Sequence, residues 1–513
     1  MTPEPVRSVS LVMALALLAP VARAQEPAAG LSLNEALATT LVEQPQVALA
    51  REAVRISEST LQATLGRFDL RVGGSADLSR TVRPLRAFER EASGASDVEI
   101  DGVRFSAGVE KLLRSGLSVA VTAGMSRDDN IFDPPAANRS SVGVSFLQPL
   151  WGGRGEAVVG AEARAARLDV SASSEDLRFV ASTSVVRTAL AYWNYVAAAR
   201  AVEAISASEE RARRLLEDVT VLVEAGNRPA ADLKQLRGNL AERVASRASV
   251  ELQLFEARQA LGLAMGLPAD RIESLPLPSD AFPEPPEVTT SADPALVTSA
   301  LARRPDLEAA RLRERAVTTR IEAARDALEP TLDLVVEAGF SGLAEGRGFP
   351  PLVTGFGREL SGPNARVGVT YAFPPANNTA KGLLGRTDAL RRQTGIQIDD
   401  LARTVHSNIL VAGRALASSA ARVRAISEAA EVYRSAVADE REKMQLGLST
   451  IIDLVLIEDR LTRSLLDEIG ARAAYAQALA RLRFETGVLV TGTAADLRVH
   501  PDALTAAPLE GGR

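Results

Sequence analysis

From Glu156 to Ala225 the sequence contains no proline, and Gly160 is the one glycine before Gly226. Read as helix at about 1.5 Å per residue, this run would span about 105 Å. No compact globular domain needs an element of that length, whereas coiled coils and tunnels do. Val158, Ala161, Ala165 and Leu168, and later Val186, Leu190, Trp193 and Ala197, recur at three- and four-residue spacing. That spacing is the seam of one helix packed along another, and the many alanines suit close helix approach. Gly226-Asn227-Arg228-Pro229 then reverse the chain, and a return helix reads from Ala230 to Gly266.

The same object occurs again between Met444 and Leu461. Gly447 suits the left-handed C-cap position, and Ser449 or Thr450 can accept from the free N–H groups of the next helix. Leu454, Ile457 and Leu461 start an apolar stripe at once. Subtracting 221 lays Gly447 on Gly226, Asp453 on Asp232, and the stripe on Leu233, Leu236 and Leu240. The register holds to the helix end, with Tyr475 over Leu254, Leu482 over Leu261 and Gly487 over Gly266. The chain is a tandem repeat of a long helical hairpin.

Each hairpin is preceded by a helix and then by strands. Leu31 to Arg67 is helical, with Ser32 and Glu35 at capping-box spacing and Pro45 separating a short leading helix from the main one. Alternating apolar and polar residues follow over Leu70–Leu78, Val103–Val109, Leu117–Met125 and Val142–Phe146, the period of strands with one apolar face. Residues Thr81–Asp101 and Arg127–Arg139 read as loops. Leu301–Leu328 matches the first helix at an offset of 260, which lays Pro305 on Pro45. Strands Leu332–Phe340 and Val367–Phe373 follow, on either side of a glycine-rich loop, Phe340–Pro363. A second long helix then reads from about Thr379 to Leu446. Pro374 matches Pro149 at an offset of only 225, so the first repeat carries 35 extra residues among its strands. That surplus is roughly the Val103–Met125 pair, so the first repeat contributes either two or four strands against two in the second.

The first 24 residues have the form of a secretory signal: Arg7, the apolar run Leu11–Leu18, and Ala22-Arg23-Ala24 at the cleavage site. No later stretch approaches twenty apolar residues, so a membrane crossing must be a β-barrel. The division expected is 1–24 signal, 25–292 first repeat, 293–487 second repeat and 488–513 tail. A net charge of −6 without a basic run argues against a nucleic-acid partner. With no cysteine and only His406 and His500, neither a thiolate nor a histidine metal site is expected, and no pattern calls for a cofactor.

One-sided strands without a second apolar layer are the pattern of lipid-out, lumen-in barrel strands. Trp151, Phe68 and Phe373 stand at helix–strand junctions, where an aromatic belt would meet the interface. Four to six strands are too few to close a barrel; three chains would supply twelve to eighteen. Through the tip motifs Glu224-Ala225-Gly226 to Asp232-Leu233 and Leu446-Gly447-Leu448-Ser449-Thr450 to Asp453-Leu454, the chain resembles the TolC family of outer-membrane efflux proteins. The junctions Gln148-Pro149-Leu150 with Gly152-Gly153, and Phe373-Pro374, also match.

The resemblance covers Leu31 to Gly487. It implies an α+β membrane protein, a homotrimer whose shared outer-membrane β-barrel continues into a periplasmic α-helical coiled-coil tunnel. It also implies that Leu267–Pro294 and the tail, neither with clear structure, form a belt around the tunnel. The family serves as exit duct of tripartite efflux pumps or type I secretion, meeting a periplasmic adaptor and an inner-membrane transporter. Docking would fall to the tips, Gly226, Asn227, Arg228, Leu446, Gly447, Leu448 and Ser449.

Asp453 occupies the family's tunnel constriction, where three copies would make an acidic ring; the plainer reading is a helix-capping acid. A second acid found three residues on in some members is Leu456 here, and Asp232 reads as a cap. The second repeat has Pro375-Ala376-Asn377-Asn378 in place of the paired glycines. A non-conducting coiled-coil envelope protein would explain the helices but not the one-sided strands. An enzyme would need a nucleophile–base constellation that the two histidines do not supply.

Overall fold

The computed structural model describes residues 30–130, 134–226, 228–286, 294–357, 360–493, 496–499 and 504. The signal segment, Asn227 and His500 lie outside them. The chain opens with α1 (Leu33–Glu43), started by the Ser32–Glu35 capping box, and α2 (Pro45–Leu65) follows directly with Pro45 as its first residue. There the missing proline N–H costs nothing.

Strands β1 (Arg71–Pro84), β2 (Asp97–Leu112), β3 (Ser118–Asp129) and β4 (Ala137–Pro149) come next, with a short helix α3 (Ala87–Ser93) between the first two. A helical turn α4 (Glu156–Val159), broken at Gly160, leads into α5 (Ala161–Glu224), and α6 (Ala231–Met265) returns. A connector with one short helix, α7 (Ala269–Glu273), leads to the second repeat. That repeat contains α8 (Pro294–Arg303), α9 (Pro305–Asp326), β5 (Thr331–Glu345), a short α10 (Phe349–Thr354), β6 (Gly362–Ala372), α11 (Asn378–Gln445) and α12 (Ile451–Glu485). A small hairpin, β7 (Val490–Thr493) and β8 (Asp496–Val499), follows.

Three expectations are corrected. The strands run past the apolar alternation, so Thr81–Asp101 is strand, helix and strand: Arg80 pairs with Asp101 at 2.8 Å and carries the hairpin on with charge. Likewise β3 and β4 extend into Arg127–Arg139, and the loop Phe340–Pro363 holds the end of β5 and α10. The segment after Gly487 is built: Leu489, Val490 and Leu504 are buried with residues of α1 and α5, and strands of four residues are too short to announce themselves by periodicity. The connector Leu267–Pro294 also contains α7, whose Ile272 is buried.

The six strands β1–β6 form one antiparallel sheet in sequence order, with β1 and β6 at its edges. Its register sorts the two faces. Val72, Val109, Val121, Val144, Ala338 and Ala365 lie in one row across all six strands. The next row, on the opposite face, is Gly73, Gly108, Thr122, Gly143, Gly339 and Asn364. Within the apolar band one face carries chiefly valine, alanine, leucine and phenylalanine, and the other chiefly glycine, serine and charged residues such as Arg104 and Glu110.

Among the helices α5 is central, packing on α2, α6, α9 and α12. Its buried aromatics Tyr192, Trp193 and Tyr195 fill the main core. Tyr192 Oη lies 2.8 Å from Asp280 Oδ2, which also accepts from Leu33 N, so the connector is tied across the helices. The two return helices end alike. Gly266 (φ 82°) abuts Gln44, and Gly487 (φ 73°) abuts Arg304, which stand 260 residues apart. A Cβ on Gly266 would sit 2.6 Å from Gln44 Cα, while one on Gly487 would find its nearest atoms at 3.2 Å. Gly266→Ala is therefore expected to cost about 2 kcal/mol, from the left-handed backbone and the clash together. Gly487→Ala should cost less, and the order of the two thermal midpoints checks it.

Candidate functional site

Two regions can act on the surroundings: the helical tips and the sheet. At the second tip Gly447 (φ 74°) ends α11, with Leu448 N bonded back to the Lys443 carbonyl at 2.9 Å. Thr450, rather than Ser449, caps α12: its Oγ1 accepts from Asp453 N, and the Asp453 carboxylate accepts from Thr450 N at 3.2 Å and Oγ1 at 2.6 Å. These hydrogen bonds hold the Asp453 carboxyl below the usual carboxylate range, the hydroxyl contributing most. Ser449 donates to Glu440, which is lowered for the same reason. Leu446 and Leu448 are 68% and 75% exposed, so the tip presents bare apolar side chains.

The first tip turns on Gly226 (φ 76°). Asp232 does not cap α6 by a hydrogen bond, since the N-cap is Ala230; it lies in the first turn, 3.8 Å from Arg228. Its help to the helix is electrostatic only. Of the other expected site residues, Gly226 and Gly447 are exposed and Arg228 and Ser449 half-buried, all at the end of their hairpins.

The two hairpins pack on each other behind these tips. Leu215, Val219, Leu236, Ile451 and Leu454 form a buried cluster. Beyond it lies a layer of charge that the sequence reading missed. Glu209 on α5, 2% exposed, accepts from Arg213 at 2.6 Å and faces Arg247 of α6 at 3.2 Å. Glu458 on α12, 6% exposed, accepts from Arg441 of α11 at 3.0 Å and faces Arg211 of α5 at 3.9 Å. Arg243 of α6 pairs with Asp459 of α12, and Ser208 meets Thr462 at 3.0 Å. All four helices are tied at this level. The signal was present in the sequence: Glu458 falls between Leu454 and Leu461 at core spacing.

Among the described residues no helix is long and apolar enough to cross a membrane. The apolar face of the sheet is the alternative. On β3 its run Val119–Met125 ends at Arg127, whose side chain reaches Asn138 at 2.9 Å. Trp151 and Phe373, both about half exposed, and the exposed Tyr371 stand at the helical end of the sheet, and Phe68 is half-buried there. Such a band with aromatic residues at one rim is what a lipid-facing wall requires.

The outer membrane efflux protein family model matches residues 114–267 and 296–488. A search of curated proteins finds no match. Among solved structures the chain resembles the Campylobacter jejuni CmeC outer membrane channel, at TM-score 0.64 and 15% identity over 89% of this chain and 85% of that one. It also resembles VceC from Vibrio cholerae (TM-score 0.62, 16% identity, 89% and 96% covered) and the open state of the Neisseria gonorrhoeae MtrE channel (0.61, 16%, 89% and 88%). These likenesses show the fold. With both repeats matched, the chain belongs to the outer membrane efflux protein family.

Proposed function

We propose that three copies of this chain form the passive exit duct of a tripartite efflux pump or type I secretion system. The observation that carries it is an unequal use of equivalent helices. Inside the chain α5 packs on α9 and α12 of the other repeat. Its counterpart α11 lacks the matching contacts to α2 and α6, and apolar residues lie exposed on those helices: Ile56, Leu252, Phe255, Leu390 and Ile396. A neighbouring copy supplies the missing α2 and α6 faces. The sheet repeats the pattern, for β4 pairs with β5 while the edges β1 and β6 await each other across copies. A closed ring satisfies both, and burying the sheet edges removes open backbone groups from the membrane.

In this duct the tips, from Gly226 through Asn227 to Arg228 and from Leu446 to Ser449, meet a periplasmic adaptor, which brings an inner-membrane transporter beneath. Asp453, in the first turn of α12, rings the opening with carboxylates. The test is single-channel recording in a planar bilayer, with the mass of the same preparation. Discrete openings from a species of three chains support the duct, and a protein that never enters the bilayer excludes it. Ring and cap are separated by two variants. Asp453→Asn is expected to abolish block by polyvalent cations, while Thr450→Ala, which loses the cap at about 1 kcal/mol, keeps it. Equal block in both variants leaves Asp453 as a cap alone.

A further inference from the structure

The hairpin β2–β3 has no counterpart in the second repeat, because β1 corresponds to β5 at an offset of 260 and β4 to β6 at 225. We propose that this hairpin is part of the barrel wall, so that three copies close about eighteen strands around a lumen that admits bulkier solutes than a twelve-strand barrel. The inference rests on the trimeric duct above and concerns its bore.

Three features make the hairpin wall and not appendage. First, β2 and β3 are hydrogen-bonded on both sides, to β1, to each other and to β4, along their length. Second, they keep the sorting of faces: Val109 and Val121 continue the apolar row, and Gly108 and Thr122 the small polar one. The same face also holds Ser106, Gly124, Arg104 and Glu110, a polar lining suited to water. Third, their turn is docked into the junction between β4 and α4. Gly155 N donates to the Ser115 carbonyl at 2.9 Å, and a Cβ on Gly116 (φ 95°) would meet the Gly153 carbonyl at 2.9 Å. Gly153 and Gly155 both have positive φ. The second repeat, which has no inserted turn, has Pro375-Ala376-Asn377-Asn378 at this junction.

Strands about 4.8 Å apart and tilted about 40° give a backbone diameter of about 36 Å for eighteen strands and about 24 Å for twelve. Cryo-electron microscopy of the full-length, detergent-purified protein counts them. Eighteen strands in the wall of a trimer is the expected result. A trimer with a twelve-strand wall and β2–β3 outside it overturns the inference and leaves the duct standing. Any other copy number overturns the duct itself, and the inference with it. Deleting residues 97–129, which joins the loop after β1 to the loop before β4, is expected to narrow the barrel by about a third. It should also lower the size of polyethylene glycol that enters from the outer side. An unchanged diameter overturns the inference, and if the deletion does not assemble, the strand count of the intact protein decides alone.

Discussion

Val121→Arg is expected to keep the protein out of the outer membrane, while Thr122→Arg, one residue along the same strand, assembles normally. Val121 lies within the apolar run of β3, between Val109 of β2 and Val144 of β4 in the register. An arginine on the lipid face near the bilayer middle costs about 2–4 kcal/mol, and a symmetric assembly meets that cost once per copy. Thr122 belongs to the opposite row, between Gly108 and Gly143. There an added guanidinium enters a wide aqueous space with only glycine beside it, and its charge stays hydrated. The two variants differ by nothing except the face they occupy. Comparing the heat-resistant oligomer of each in isolated outer membranes reads the difference directly. Equal yields for both would mean that the sheet does not face lipid on its valine side, and the barrel assignment would fall.

The same contrast shows what the sequence could reveal and where it stopped. Period-2 alternation is imposed by lipid on one side and water on the other, so it marks the strands only within the apolar band. Beyond it Arg80 and Asp101 carry the β1–β2 hairpin into solvent, where no face must be apolar and the period disappears. Long helices were legible from the absence of breakers, and the tips from Gly226 and Gly447, which take positive φ. Gly160, though, does break the helix, separating α4 from α5. The surplus of 35 residues in the first repeat located the inserted hairpin. Its purchase on Gly153 and Gly155 was not legible, because a docked turn leaves no periodic trace. At the tips the cap on α12 could be read from Thr450 and Asp453, which lie together in the chain. The charged layer behind them joins residues far apart in the chain, such as Ser208 and Thr462, 254 positions apart; the core spacing of Glu458 shows in the local pattern, but its partners do not.

That layer gives the second large effect. Glu458→Ala is expected to raise the channel's resting conductance several-fold while leaving its oligomer intact. Glu458 is almost fully buried between the hairpins and answers Arg441 and Arg211, with the Arg243–Asp459 pair beside it. Burial already pushes the Arg243 guanidinium down from its ordinary value, and Glu458 works against that shift. Without Glu458, Arg441 and Arg211 lose the carboxylate they share, while Arg243 keeps Asp459. Removing one partner of a buried ion pair costs up to about 3–5 kcal/mol where the charge left behind has neither partner nor water; Arg441 reaches solvent, so the cost falls on Arg211, which is three-quarters covered. The cheapest relief is to let water in by separating α12 from α5, since only the small cluster around Leu215 and Leu454 holds them nearer the tip. The larger core around Trp193 lies in the other direction along α5 and is untouched. Arg214→Ala serves as the control: Arg214 and its partner Glu210 on α5 are both exposed, so its loss should cost no more than about 1 kcal/mol and leave the conductance near that of the parent. Were Glu458→Ala to lower the thermal midpoint without changing conductance, the layer would be a brace for the helices. Raised conductance at an unchanged oligomer makes it the latch that sets how far the tips stand apart.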